Sequence, residues 1–201
     1  MRSILILLMM LACVVLAAAA VVWSGIYNVS ARVSHWPITQ QFLETVRDRS
    51  IAVHSEGVRL PPLKDQKLPE AGARHFHAMC RLCHGAPGYA PSEFAKGLYP
   101  SPPDLTAGEV QREWGDAEIY WVIDNGIKMT GMPAFGSTHS PDELLGIVAL
   151  MKRLHTLTPE EYLSLVAKEG LQEEGEGHRH GGSTGKGDTG LTAPDQEKHK
   201  H

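Results

Sequence analysis

Two cysteines and a histidine lie close together near the middle of the chain, where Cys80, Cys83 and His84 form the pattern C-x-x-C-H. Residues three apart in a helix lie on the same side of one turn, so both thiols can add to the two vinyl groups of a haem. The adjacent imidazole of His84 is then directed at the iron. Because C-x-x-C-H is the attachment pattern of c-type haem, the sequence predicts one covalently bound haem c per chain.

Three alternatives to haem attachment have weaker support. A thioredoxin-like dithiol shares the C-x-x-C spacing but belongs to a βαβ unit, which this sequence does not predict. A zinc site would need a matching ligand pair, for which His75 and His77 are the nearby candidates. Chance occurrence of the motif is the third. The remaining cysteine, Cys13, lies in an apolar run without a sensible partner, so a disulfide framework is excluded.

The predicted second axial ligand is Met132, which lies between Gly131 and Pro133. A thioether is a soft, uncharged ligand that stabilises reduced iron and raises its potential. Gly131 allows the backbone to approach the porphyrin, and Pro133 stiffens the loop. Met129 is a rival ligand in the same loop, and a methionine that only fills a gap in the core is the structural alternative. The predicted metal ligands are His84 and Met132.

The N-terminal segment, residues 3–23, carries no charged side chain and is long enough to cross a membrane as a helix. Arg2 before it weakly favours a cytoplasmic N-terminus, which places the rest of the chain in the periplasm of a bacterial inner membrane. A cleaved secretory signal ending in Ala17 to Ala20, or a lipoprotein signal at Cys13, would also export the chain.

The elements that must position the haem ligands are predicted to be helical, and no convincing period-two strand occurs, so the fold class is all-α. Residues 1–24 form the anchor or uncleaved signal, 25–69 a juxtamembrane helix from Pro37 and a proline-rich linker, 70–170 the main domain, and 171–201 a disordered tail.

Within the main domain, a first helix is predicted over residues 70–82 and a long glycine- and proline-rich loop over 85–108. Asp116 is the predicted cap of a helix that ends before Gly126. Ser140 and Thr158 are each followed by proline and by glutamate at the third helical position, which predicts two further helices, the last of which ends near Gly170.

Residues from about Gly72 to Leu154 resemble a class I c-type cytochrome, in particular the bacterial membrane-anchored sort found beside respiratory chains. Gly72 and Phe76 resemble the first helix of that family, which implies a close crossing with the helix from Pro141 to Leu154. Pro103-Asp104-Leu105 resembles the family's proline-x-leucine element.

The resemblance implies roles for two residues of that element. The carbonyl of Pro103 would accept the N–H of the ligating His84, and Leu105 would cover the haem. Both are therefore predicted cofactor-binding residues, with Cys80, Cys83, His84 and Met132.

Several aromatic and histidine side chains have less specific signals. Trp114, Tyr120 and Trp121 could line the haem pocket, donate to a propionate or belong to the core. His75 and His77 are predicted surface residues, and His35 beside Trp36 is predicted to be interfacial. Histidines 178, 180, 199 and 201 of the tail could chelate metal, but a solvated tail is favoured.

The formal net charge of −4 and a pI of about 6.2 exclude a typical nucleic-acid binder. We expect an electron carrier without a small-molecule substrate, whose partners are redox proteins or a respiratory complex. A fixed haem subunit of a larger membrane enzyme is the alternative. A haem sensor or peroxidase-like enzyme would require an open sixth position at the iron.

Overall fold

The computed structural model describes residues 2–63 and 67–176, and every regular element in these ranges is helical. Their only strand-like feature is an isolated antiparallel bridge between Ala86 and Tyr89. The predicted all-α class is confirmed. In chain order the helices are α1 (Arg2–Ser24), α2 (Pro37–Ser55), α3 (Leu68–His75), α4 (Arg81–His84), α5 (Glu93–Lys96), α6 (Glu109–Glu113), α7 (Asp116–Asn125), α8 (Pro141–Leu154) and α9 (Pro159–Glu176).

The core forms where α3 crosses α8 at two glycines. A Cβ added to Gly72 would collide with the carbonyl group of Gly146, and one added to Gly146 would lie 2.8 Å from the Gly72 nitrogen. The two helices therefore approach closely, as the family resemblance implied, and large side chains fill the space around the crossing. Among the most deeply buried side chains are Phe76, Ile119, Leu144, Ile147, Val148, Leu150, Leu154 and Tyr162.

Reciprocal hydrogen bonds begin the last two helices, as predicted. Ser140 Oγ accepts the Glu143 N–H at 3.4 Å, and the Glu143 carboxylate accepts the Ser140 N–H at 2.6 Å. Thr158 and Glu161 form the same pair at the start of α9, at 3.2 Å and 2.8 Å. Each pair satisfies two N–H groups that have no partner within the helix.

The start of α7 differs from the prediction. Asp116 is the first residue of the helix and Gly115 is its cap, with the Gly115 N–H donating to the Glu118 carboxylate at 2.8 Å. Because glycine has no side chain that could cap the helix, the Glu118 carboxylate provides the only side-chain hydrogen bond of this cap, to the Gly115 N–H. The predicted end is confirmed, because Gly126 ends the helix with a φ of 67°.

Other helix ends also differ from the sequence prediction. α3 begins at Leu68, so Pro69 lies in its first turn, where the missing proline N–H costs no helical hydrogen bond. A π-helical turn, Phe76–Cys80, joins α3 to α4, and the combined helix ends at His84 instead of Leu82. Within the region predicted to be a loop, α5 supplies one unpredicted helical turn, and α6 begins directly after that region.

The C-terminal end of α9 corrects part of the predicted disordered tail. The helix continues past Gly170 to Glu176, so residues 171–176 are helical. Residues 177–201, with the four tail histidines, lie outside the described residues, and their predicted disorder stays a prediction.

At the N-terminus, α1 is 23 residues long, and all of its residues are exposed. Its length is about 35 Å at 1.5 Å per residue, enough to cross a hydrocarbon core of about 30 Å. Within the described part of the chain it is the one helix long and apolar enough for a membrane span, a test that a secretory signal also passes. α2 begins at Pro37 as predicted and packs against α7.

Candidate functional site

The two motif cysteines lie at the end of the helix that forms half of the core crossing. Cys80 is buried in the π-helical turn, Cys83 is half-buried in α4, and neither thiol is in a disulfide. Burial, reinforced by the neighbouring Cys83, raises the pKa of the Cys80 thiol to about 12. Burial therefore favours the protonated, neutral form of the Cys80 thiol.

His84 is the last residue of α4, because Gly85 follows it with a φ of 71° and ends the helix. The Nδ1 atom of His84 lies 2.8 Å from the carbonyl oxygen of Pro103. Burial lowers the pKa of His84, while the hydrogen bond to Pro103 and the charge of Asp104 oppose this shift. A neutral ring must then carry its proton on Nδ1 to donate to the carbonyl, which leaves the Nε2 lone pair free for a metal.

The loop that carries Pro103 and Leu105 is held in place by its own hydrogen bonds. The N–H of Leu105 donates to the His84 carbonyl at 3.1 Å, and the Leu105 side chain is buried. Asp104 Oδ1 accepts the Thr106 N–H at 2.8 Å and the Thr106 hydroxyl at 2.7 Å. An aspartate followed two residues later by threonine is a turn signal that could have been found in the sequence.

Gln111 is a second positioning residue that the sequence did not predict. Its buried Nε2 donates to the Leu105 carbonyl at 2.8 Å and to the Met151 carbonyl at 3.0 Å, which ties the Pro103 loop to α8. A single glutamine in a short polar helix gives no sequence signal for this role, because the partners are backbone atoms of distant residues.

Met132 and Met129 lie in very different environments of the same loop. Met132 is half-buried and packs against the core cluster that contains Cys80 and Leu105. Met129 is 99% exposed and has a φ of 61°. Of the two thioethers, the one of Met132 therefore lies on the inner side of the loop.

The Met132 loop is closed by backbone contacts at its two ends. The Ile127 N–H donates to the Met132 carbonyl at 3.1 Å, and the Met132 N–H donates to Thr130 Oγ1 at 3.1 Å. A Cβ on Gly126 would lie 2.7 Å from the Pro133 carbonyl carbon, so only glycine fits there. Gly131 lies against the Leu98 side chain, at 2.8 Å from its Cδ1 to a hypothetical Cβ.

The three aromatic residues with ambiguous signals lie on or near α7. Trp114 and Tyr120 pack against the core cluster, and burial raises the pKa of Tyr120. Arg47 of α2 lies over the Trp114 ring at 5.9 Å, and His54 of α2 lies 5.7 Å from the Trp121 ring. Two of the three thus contact α2, and donation to a propionate stays a prediction.

The histidines around the motif have specific partners. His75 Nε2 lies 3.4 Å from Glu143 Oε1. His77 Nδ1 lies 3.1 Å from the hydroxyl oxygen of the buried Tyr162, so this half-buried residue is not the plain surface histidine that we predicted. His35 Nδ1 lies 2.5 Å from the Tyr27 hydroxyl.

These donor groups fit haem c. Two unpaired thiols lie one turn apart, an imidazole with an available Nε2 follows them, and a half-buried thioether packs on the same cluster. The alternatives to haem find less support in the described residues. The described residues contain no βαβ unit for a thioredoxin-like dithiol. They also bring together no set of three or more His, Cys, Asp or Glu side chains that could hold a zinc ion.

Comparison with known proteins identifies this helical unit. Residues 67–151 match the family model described as cytochrome C oxidase, cbb3-type, subunit III, whereas no curated protein matches the chain. The matched segment runs from the start of α3 nearly to the end of α8 and contains all six predicted cofactor-binding residues. Residues 67–151 are therefore a class I c-type cytochrome domain, which implies covalently bound haem c and haem-based electron transfer.

Proposed function

We propose that this chain is a membrane-anchored monohaem cytochrome that transfers single electrons at the periplasmic face of a bacterial inner membrane. Cys80 and Cys83 would attach the haem, and His84 and Met132 would bind its iron. The observation that carries the proposal is the 2.8 Å contact between His84 Nδ1 and the Pro103 carbonyl within the matched domain, because it leaves Nε2 available as a ligand.

When bound, haem supplies a centre that takes up and releases one electron. The chain's own residues prepare and protect that centre. Pro103 fixes the tautomer and ring orientation of His84, while Asp104 and Gln111 fix the position of the Pro103 loop through their hydrogen bonds. The buried side chain of Leu105 excludes water from this region.

The choice of Met132 over Met129 rests on burial. A ligand inside the protein must lie on the inner side of its loop, which is where Met132 packs, whereas Met129 projects into solvent. With both His84 and Met132 bound to it, the iron would have no free position for a small molecule, which favours an electron carrier over a sensor or peroxidase.

A test of the ligand assignment compares Met132→Ala with the matched control Met129→Ala. We expect Met132→Ala to let the reduced protein bind carbon monoxide and to lower the midpoint potential by on the order of 0.1 V or more, because a soft ligand to reduced iron is lost. Met129→Ala should change neither property. Carbon monoxide binding by Met129→Ala alone would show that the assignment is wrong, and rapid binding by the unaltered protein would contradict a closed site.

The second candidate function is a fixed haem subunit of a larger membrane respiratory enzyme. The description of the matched family, which is an oxidase subunit, favours it. Mild detergent extraction from native membranes followed by size measurement separates the two. A free-standing carrier should elute near the size of one chain in its detergent micelle, whereas a fixed subunit should co-purify with partner proteins in constant proportion.

A further inference from the structure

One side of α2 carries an apolar stripe that nothing in the described protein covers. Ile38, Phe42 and Val46 repeat every four residues and are 73%, 65% and 49% exposed, and Val53 farther along the same side is 49% exposed. Side chains at this spacing lie on one face of a helix. We call these four residues the outer face of α2.

The opposite side of α2 is fixed to the cytochrome domain. Ile51 and Ser55 are buried, at 3% and 4% exposed. Arg47 lies over Trp114 at 5.9 Å, and the His54 ring lies 5.7 Å from the ring of Trp121. Because these contacts hold the helix in one rotation, the outer face cannot turn inward to bury its apolar side chains.

Exposed apolar side chains also continue along the connector between α1 and α2, which we define as residues 25–36. Ile26, Val29, Val33 and Trp36 are 65%, 90%, 45% and 49% exposed. The end of the connector is held against the domain, because the backbone N–H of His35 donates to the Tyr99 hydroxyl at 2.9 Å. Exposed apolar side chains are therefore present all the way from the end of α1 to the outer face of α2.

The charged side chains along this surface are basic. No aspartate or glutamate precedes Glu44, whereas Arg32 lies in the connector, and Arg49 falls among the residues of the outer face. Both arginines are exposed. A guanidinium can extend to the phosphate of a lipid headgroup while its aliphatic stem stays among apolar side chains.

We propose that the outer face of α2 and the connector lie in the headgroup region of the membrane that α1 spans, and so fix the orientation of the cytochrome domain. This inference rests on the proposed anchoring by α1. The twelve residues between Ser24 and Pro37 can extend to at most about 40 Å. Because α1 tethers α2 to the bilayer, the bilayer surface is always within reach of α2 at a high effective concentration. A protein partner, by contrast, must be recruited from solution.

Lipid contact through the outer face of α2 would give the cytochrome domain one preferred side toward the membrane. An amphipathic helix with Phe, Ile and Trp on one side and arginine beside them is the type that lies at the boundary between headgroups and acyl chains. Since α2 packs against α7, whose end leads through Gly126 into the Met132 loop, lipid contact on α2 would set how the haem-binding domain faces its redox partners.

The test uses the full-length, haem-loaded protein with Cys13 replaced by Ser, reconstituted in vesicles of phosphatidylcholine and anionic phosphatidylglycerol. Nitroxide labels are placed singly at Phe42→Cys on the outer face, at Glu44→Cys as the matched polar control on α2, and at Leu8→Cys as the reference within α1. The readout is the ratio of label accessibility to oxygen, which partitions into lipid, over accessibility to a water-soluble nickel complex. An unchanged haem spectrum verifies that each labelled protein is folded.

We expect the accessibility ratio at position 42 to be several-fold higher than at position 44 and to approach the value at position 8. Equal, water-like ratios at 42 and 44 with a lipid-like ratio at 8 would overturn the inference while the anchor stands. A label at 42 that is shielded from both reagents would also overturn it, because protein and not lipid would then cover the face. A water-like ratio at position 8 would instead refute the anchoring, and the inference with it.

Discussion

His77 is a single residue whose partial burial makes the stability of the fold depend on pH. The hydroxyl of the buried Tyr162 lies 3.1 Å from His77 Nδ1, and it joins α9 to the π-helical turn that carries Cys80. Burial, together with the nearby charge of Arg81, lowers the pKa of His77 from its ordinary value of 6.5. The neutral form of His77 is thus the one that the folded protein accommodates.

The sign of the resulting pH dependence follows from proton linkage. Below pH 6.5 the unfolded chain binds a proton at His77 that the folded protein does not, so the free energy of unfolding falls as the pH drops from 6.5 through the lower folded-state pKa. We predict that His77→Gln reduces this fall. Urea unfolding of the haem-loaded protein at about pH 7.5 and about pH 5 measures the loss of unfolding free energy between the two pH values. The control is His155→Gln, because His155 is an exposed histidine. Equal losses in His77→Gln and the unaltered protein would contradict the prediction.

The residues that we propose to hold the haem could be identified from the sequence, but the residues that support them could not. Cys80, Cys83 and His84 have a fixed spacing set by one helical turn, and Met132 lies in a loop of glycine and proline. Gln111, by contrast, acts through two backbone carbonyls that are distant in sequence. A contact of this kind depends on the tertiary structure, and no local pattern indicates it.

Among the helices, the crossing of α3 and α8 depends on the lack of a side chain at Gly72. A Cβ there would overlap the backbone carbonyl of Gly146, which cannot move aside as a flexible side chain can. We predict that Gly72→Ala lowers the free energy of unfolding by about 3 kcal/mol or more, at the upper end of overpacking costs. Urea unfolding and the yield of haem-loaded protein are the measurements.

The control for this substitution is Gly57→Ala, because a Cβ at Gly57 has no atom within 4 Å. It should change the free energy of unfolding by less than about 0.5 kcal/mol, as surface substitutions usually do. If Gly72→Ala were as stable as Gly57→Ala, the close crossing would not exist in solution.

The start of α8 allows a second prediction about a helix. Ser140 Oγ accepts the Glu143 N–H, and hydrogen bonds from Ser140 are the main cause that holds the pKa of Glu143 below its ordinary value. Ser140→Ala should cost about 1 kcal/mol of unfolding free energy at neutral pH. Ser137→Ala, another exposed serine in the preceding turn, is the control. Thermal or urea unfolding would contradict the prediction if both variants were equally stable.

Long helices with start and stop signals were the predictable part of the fold. α2 and α8 begin where proline and capping residues placed them, and α7 ends at the glycine that was expected. The short helices α5 and α6 and the π-helical turn were not predicted. A segment of four or five residues has too little periodicity to detect, and its conformation depends on the contacts that surround it.

For the whole molecule, the N-terminal helix bears on whether the cytochrome domain is held at a membrane. α1 has 23 residues, all exposed, and nothing in the part of the chain that the structure describes buries its apolar side chains. A helix of this length can remain as a permanent anchor, whereas the apolar core of a cleaved signal is usually about 7–15 residues. The length therefore favours retention of α1.

The last prediction is that alkaline carbonate will not release the haem-loaded protein from native membranes, because a spanning helix holds it by apolar burial and not by charge. Mass spectrometry of the released protein should then recover peptides from the α1 segment and show the added mass of one haem on the peptide that contains Cys80 and Cys83. A soluble, shorter chain would show cleavage after the alanine run, and a lipid-modified chain beginning at Cys13 would show a lipoprotein. More than one haem mass would contradict the monohaem proposal, since the chain contains one C-x-x-C-H motif to hold it.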